Sequence, residues 1–167
     1  NKLTRTPRVV AVSKLKPSSM IKELYDAGHR HFGENYVQEL GQKASELPKD
    51  IEWHFIGHLQ TNKCKEILKI PNIAMIETVD SEKLANELNK RLPDNYEQLN
   101  IMVQVNTTEE QQKSGISTDQ LVSLTQHIIT NCPKLKIVGL MTIGKFGDPS
   151  PKYFKTLVEC KKEVIAK

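Results

Sequence analysis

The chain has 167 residues, 38% apolar and 26% charged, with 8 Gly, 8 Pro and a net charge of +4. That excludes a disordered, collagen-like or disulfide-scaffold chain and suits one domain, which buries roughly 70% of its unfolded surface. So small a positive charge, with no dense basic cluster, marks no nucleic-acid partner, and no apolar run approaches the ~18 residues that span a bilayer.

The first apolar run, residues 9–12, reads as a strand ending in the polar stretch Ser13-Lys14-Leu15-Lys16. Pro17 then opens a helix over 17–27 with Met20, Ile21, Leu24 and Ala27 on one face, stopped at Gly28, where a left-handed cap is cheap. A brief strand at 31–33 leads into Glu34-Asn35-Tyr36 and a helix over 37–47 ended by Pro48. Residues 52–56 form the third strand, followed by Gly57-His58-Leu59-Gln60 and a helix over 62–70. The fourth strand, 74–78, precedes a helix over 81–92 with Ser81 as its N-cap and an acid in its first turn. The fifth, 101–105, ends at Asn106-Thr107 and is followed by a helix over 118–131 carrying Leu121, Leu124, Thr125 and Ile128. The sixth, 137–141, ends at Thr142-Ile143-Gly144, and a last helix covers 151–166.

Strand starts at 9, 31, 52, 74, 101 and 137 are spaced as in parallel βαβ units, and the strands are nearly continuous in apolar residues, as expected with both faces covered. An open doubly wound sheet and a (β/α)8 TIM-type barrel both fit. No Gly-x-Gly-x-x-Gly follows the first strand and no P-loop occurs, which weakens dinucleotide and NTPase readings. The count of six units favours an incomplete barrel, because a closed one needs eight. Three cysteines, Cys64, Cys132 and Cys160, never paired as Cys-x-x-Cys, read as reduced thiols and point to a cytoplasmic protein.

In either architecture ligands bind beyond the carboxyl ends of the strands. A lysine there can attack a carbonyl as an amine nucleophile, and burial in a barrel mouth raises its neutral fraction. Most of the 20 lysines must be solvated surface charges, and periodicity does not choose between Lys14 and Lys16. His54 and His58 lack the helical face that would converge two metal ligands; His54 reads as a packed strand residue and His58 as a mouth residue. Neither a Gly-x-Ser-x-Gly elbow nor a strand-end Cys beside a His supports acyl transfer. Glu77 and Asp80 are accounted for by a strand end and a helix start.

Five motifs carry a specific resemblance: residues 10–17 (Val-Ala-Val-Ser-Lys-Leu-Lys-Pro), 32–39 (Phe-Gly-Glu-Asn-Tyr-Val-Gln-Glu), 53–60 (Trp-His-Phe-Ile-Gly-His-Leu-Gln), 77–81 (Glu-Thr-Val-Asp-Ser) and 139–144 (Gly-Leu-Met-Thr-Ile-Gly). In this order and spacing they resemble the pyridoxal 5′-phosphate homeostasis proteins, which share the barrel of the alanine racemase N-terminal domain. The resemblance implies a single barrel domain over 1–167, usually monomeric, that holds pyridoxal phosphate as a Schiff base on Lys14. It also implies that Asn35 lies in the cofactor pocket and that Asn106 and Met141 line it. Relatives of this kind continue into Ser-Met-Gly-Met-Ser and Arg-Ile-Gly segments that cup the phosphate. Neither occurs here, so the expectation is that the natural polypeptide extends beyond Lys167 and that the C-terminal barrel units lie there. Lys113, in Gln-Gln-Lys-Ser-Gly-Ile, matches a family lysine that could receive the aldehyde on release, with an ordinary loop charge as the alternative.

The function implied is vitamin B6 homeostasis: a reversible carrier and buffer of pyridoxal phosphate without dedicated turnover, with apo-enzymes that use the cofactor as recipients, and without nucleic-acid or membrane partners. The alternatives are a racemase or lyase working through the same linkage and a cofactor-free Schiff-base aldolase. A racemase needs a second acid/base group on the opposite face, which in alanine racemase comes from another domain and subunit.

Overall fold

Apolar runs separated by helices need partners on both sides, and each strand finds them in its sequence neighbours. A computed structural model of the chain, describing residues 6–108, 110 and 114–166, places six parallel strands in the order β1-β2-β3-β4-β5-β6. They are β1 (Ala11–Val12), β2 (His31–Glu34), β3 (Glu52–Phe55), β4 (Ile73–Val79), β5 (Leu99–Gln104) and β6 (Leu135–Met141). Between and after them run α1 (Ser18–Asp26), α2 (Val37–Glu46), α3 (Cys64–Ile67), α4 (Glu82–Arg91), α5 (Leu121–Asn131) and α6 (Lys152–Ile165). A doubly wound sheet reverses its strand order at a switch point, and this one never does. The sequential order is that of a barrel wall, open between β1 and β6 among the described residues.

One core cluster joins Phe32, Trp53, Phe55, Ile76, Ile101 and Val103 of the strands to Ile21, Leu40, Leu84, Leu88, Leu121 and Ile128 of the helices. The helices therefore cover one face of the sheet and leave an inner face. Local signals act as the sequence leads one to expect. Ser81 Oγ accepts from the Leu84 N–H at 3.3 Å, and Gly28, at φ +100°, closes α1 by donating to Tyr25 O.

Strand lengths differ from the apolar runs. β4 and β6 extend beyond them because parallel neighbours supply ladder partners, such as Asn100 and Lys136, for polar residues. Glu77 lies within β4, which ends at Val79. β1 shrinks to two residues at this edge of the sheet, where Val9 and Val12 are 68% and 55% exposed. The other edge resembles it, with Val138, Phe154 and Val158 exposed. The helix expected over 62–70 is one 3-10 turn, Thr61–Lys63, followed by the four-residue α3.

Barrel interiors are usually filled with branched apolar side chains. Here the inner face of β2, β3 and β4 carries a polar ladder instead. His54, 2% exposed, donates from Nδ1 to Glu77 Oε1 at 2.6 Å, and its Nε2 lies 3.3 Å from His31 Nδ1. With Glu77 fixing the His54 tautomer, His31 Nδ1–H is the donor of the second bond. All three cysteines are free and buried, and burial pushes the Cys64 thiol up to about 11, so these are packing residues. Among the described residues, no helix is long and apolar enough to cross a membrane.

Burial holds the His31 imidazole below its usual value; Glu52 pulls the other way, and Arg8, His54 and His29 add to the lowering. An imidazole with a lowered folded value is neutral in the fold and protonated in the unfolded chain, so stability falls as pH drops below the ordinary value of about 6.5. The carboxyls held low in the fold (Glu39, Glu46, Asp50, Asp94, Asp148) contribute stability that is lost only at more acid pH. His31 therefore contributes a loss of stability as pH falls from about 6.5 to 5. Urea midpoints across that window should fall with pH and flatten in His31→Asn; an equal slope in the variant excludes this origin.

Candidate functional site

The carboxyl ends of all six strands form one rim, and its first corner is Ser13 to Lys16. Ala11 packs on the helix-covered core, and Ser13 turns the same way, donating from Oγ to Glu34 Oε1 at 2.6 Å. Val10 takes the opposite side: a Cβ built on Gly33 would lie 3.2 Å from Val10 Cγ1 and 2.9 Å from Ile56 Cδ1. Strand alternation therefore sends Val10, Val12 and Lys14 to the inner face. Lys14 is exposed, and among the described residues no side chain pairs with its Nζ. Leu15 adopts φ 61°, which ends the alternation before Lys16.

Beneath this corner lies a cluster of charges that sequence inspection does not single out. Lys43 of α2, its side chain 6% exposed, donates to Glu34 Oε1 at 2.7 Å, Glu39 Oε1 at 2.6 Å and the Ser13 carbonyl at 2.8 Å. Glu39 Oε1 also accepts from the Leu15 N–H at 2.7 Å. Burial pushes the Glu39 carboxyl up, but the bonds from Lys43 and Leu15, with the Lys43 charge, outweigh it and hold Glu39 below its ordinary value. The spacing of Glu39 and Lys43 was visible as an i,i+4 pair, but such pairs are normally solvated and worth only tenths of a kcal/mol. Only the tertiary contact with β1 and β2 makes this one buried.

Asn35 follows β2, next to the Lys14 corner; it is partly buried and its Oδ1 has no partner. A cavity of about 250 Å³ lies beside it, lined by Asn35, Tyr36, Gln38, His58, Gln60 and Lys63. His58 Nδ1 stands 4.0 Å from Asp80 Oδ2 on the same rim. Asn106 and Met141 belong to the far edge, where Val105 N donates to Met141 O at 2.8 Å. The Asn106 amide is engaged in its own loop, accepting from Thr108 N and Thr108 Oγ1 and donating to Glu110 O. The four expected residues thus form two pairs on one rim, Lys14 with Asn35 and Asn106 with Met141. Lys113 lies outside the described residues. Among the described residues no group of three His, Cys, Asp or Glu side chains could hold a metal.

Comparison with known proteins gives the same direction at every level. The sequence profile of the family described as the alanine racemase N-terminal domain matches residues 1–167. The pyridoxal phosphate homeostasis protein of Homo sapiens is 45% identical over 173 residues, covering 96% of this chain and 62% of the human one. That of Schizosaccharomyces pombe is 42% identical over 144 residues, covering 86% and 60%. The structure of PipY from Synechococcus elongatus with PLP bound matches with a TM-score of 0.79 at 28% identity, covering 97% of this chain and 79% of that one. Its form without PLP matches at 0.81 and 31%, covering 95% and 75%. Alanine racemase from Corynebacterium glutamicum, at 13% identity, a TM-score of 0.70 and coverage of 94% and 44%, shares the fold. The chain spans about three-fifths of the length of the curated relatives it matches.

Gly57 is where the rim tolerates no side chain. A Cβ there would lie 2.1 Å from the Asn35 carbonyl oxygen, and Thr78 Oγ1 donates to Gly57 O at 2.6 Å, so neither backbone is free to retreat. Gly57→Ala should displace the β2–α2 connection at a cost of about 1–3 kcal/mol. The expected readout is a lower urea midpoint with faster amide exchange at residues 35–37; an unchanged midpoint shows that the connection yields without cost.

Proposed function

The chain belongs to the family of the alanine racemase N-terminal domain, and from that premise we propose that it binds pyridoxal 5′-phosphate reversibly through Lys14 and acts in cytoplasmic cofactor homeostasis as a carrier and buffer. The observation that carries the reading is a primary amine on the inner face at the carboxyl end of β1, with no acidic partner among the described residues. Beside it the buried, unpartnered Asn35 Oδ1 is an acceptor available to a polar ring substituent. Relatives named pyridoxal phosphate homeostasis proteins and the PLP-bound PipY structure support the same ligand.

When bound, the cofactor supplies an aldehyde that condenses reversibly with a primary amine. Lys14 supplies that amine. Asn35 orients the ring from the β2 side. Asn106 and Met141 wall the opposite side, Asn106 through the loop that its amide organises. The apo forms of pyridoxal-phosphate enzymes are the recipients this role requires.

A racemase or lyase would need a second proton-transfer group facing Lys14. Among the described residues His58, near Asp80, is the one imidazole on this rim. Incubation of the loaded protein with L- and D-amino acids, scored for interconversion and for loss of carboxylate, separates the readings; turnover replaces the carrier by an enzyme.

Borohydride reduction of the loaded protein followed by peptide mapping should place the pyridoxyl group on Lys14. Lys14→Ala should abolish the visible absorbance and leave the unfolding free energy in urea within about 0.5 kcal/mol of the parent, since an exposed side chain adds little to the core. Lys14→Arg should fail equally, because guanidinium stays protonated. A label elsewhere, or retained colour in either variant, refutes the assignment.

A further inference from the structure

Lys14 and Lys16 are two residues apart, and in an extended strand both would project from the same face. The loaded protein would then offer two amines to one aldehyde. Leu15 prevents this. Among the described residues it alone, other than glycines, has a positive φ, at 61°, and its side chain is 77% exposed. No packing holds it in a conformation that bulky L-residues avoid.

What holds it is a clamp of charges. The Leu15 N–H donates to Glu39 Oε1 at 2.7 Å, and that oxygen is fixed by Lys43 Nζ at 2.6 Å. Lys43 also grips the Ser13 carbonyl at 2.8 Å, and Lys16 N closes the turn onto the same carbonyl at 3.0 Å. Both chain neighbours of Lys14 are thereby pinned while Lys14 itself is left free. We propose that the Glu39–Lys43 pair is a positioning device that selects Lys14 over Lys16 for attachment, by holding Leu15 left-handed and so keeping Lys16 off the Lys14 face. The proposal rests on the carrier reading given above.

Attachment forms a carbon–nitrogen double bond between a lysine Nζ and the aldehyde carbon with loss of one water. Borohydride adds hydride across that bond, so each label marks the lysine that was joined. The natural full-length protein is loaded with pyridoxal phosphate, reduced and mapped, and the ratio of label on Lys16 to label on Lys14 is read. In Glu39→Ala that ratio should rise about five-fold, the equilibrium worth of one ~1 kcal/mol hydrogen bond. In Glu39→Gln, whose amide oxygen still accepts from the Leu15 N–H, it should rise less. Leu15→Pro, which excludes a positive φ and also removes the N–H that Glu39 holds, should raise it as well. A general loss of stability would lower the melting temperature and total label but not shift the label between two lysines. An unchanged ratio in Glu39→Ala and Leu15→Pro, with the parent labelled on Lys14, overturns the clamp alone. A parent that takes no label overturns the carrier reading and the clamp with it.

Discussion

The buried ammonium of Lys43 is the constraint on which the rim of this barrel depends. A charge removed from water is tolerated only where it is paired and hydrogen-bonded, and Lys43 has three partners drawn from three elements: Glu34 of β2, Glu39 of α2 and the Ser13 carbonyl at the end of β1. Satisfying one cation therefore fixes the relative position of two strand ends and a helix. The cost of leaving any partner out is an uncompensated buried charge, so the arrangement admits few alternatives. The strand most in need of this tie is β1, which has only two residues in the ladder and an exposed inner face.

The inner face of the sheet follows a related logic. Where a closed barrel would stack branched apolar residues, β2, β3 and β4 join through Glu77, His54 and His31, each bond satisfying a polar atom that would otherwise be stranded. The apolar driving force sits on the other face, where Trp53, Phe32 and Phe55 meet the helices in a continuous core. The division leaves the inner face of β2, β3 and β4 polar where these side chains meet.

Membership of the alanine racemase N-terminal domain family accords with the sequential parallel sheet order. Lys14 is exposed, and its neighbour Leu15 is strained but unburied. Order at this corner is supplied by charges: the Leu15 N–H is held by Glu39, which Lys43 fixes in turn.

Much of this was legible in the chain itself. Parallel βαβ repetition follows from Val- and Ile-rich runs at near-regular spacing, because strands covered by crossover helices must be apolar and helices between them amphipathic. The Ser81 cap, the Gly28 stop and the isolated thiols are local chemistry that needs no tertiary context. Five motifs named the family and nominated Lys14, Asn35, Asn106 and Met141. Folding decided the rest. A barrel was already favoured by the count of six units and implied by the family resemblance, and the structure added the unreversed order of neighbouring strands, which spacing does not encode. Glu77 became the partner of His54 because β4 pairs with β3 and brings both side chains to one face, and no local pattern predicts which strand lies alongside. The Glu39–Lys43 pair reads in sequence as one more solvated helix contact. It becomes the anchor of the rim because β1 and β2 close over it, and a charge changes its role when distant chain removes it from water.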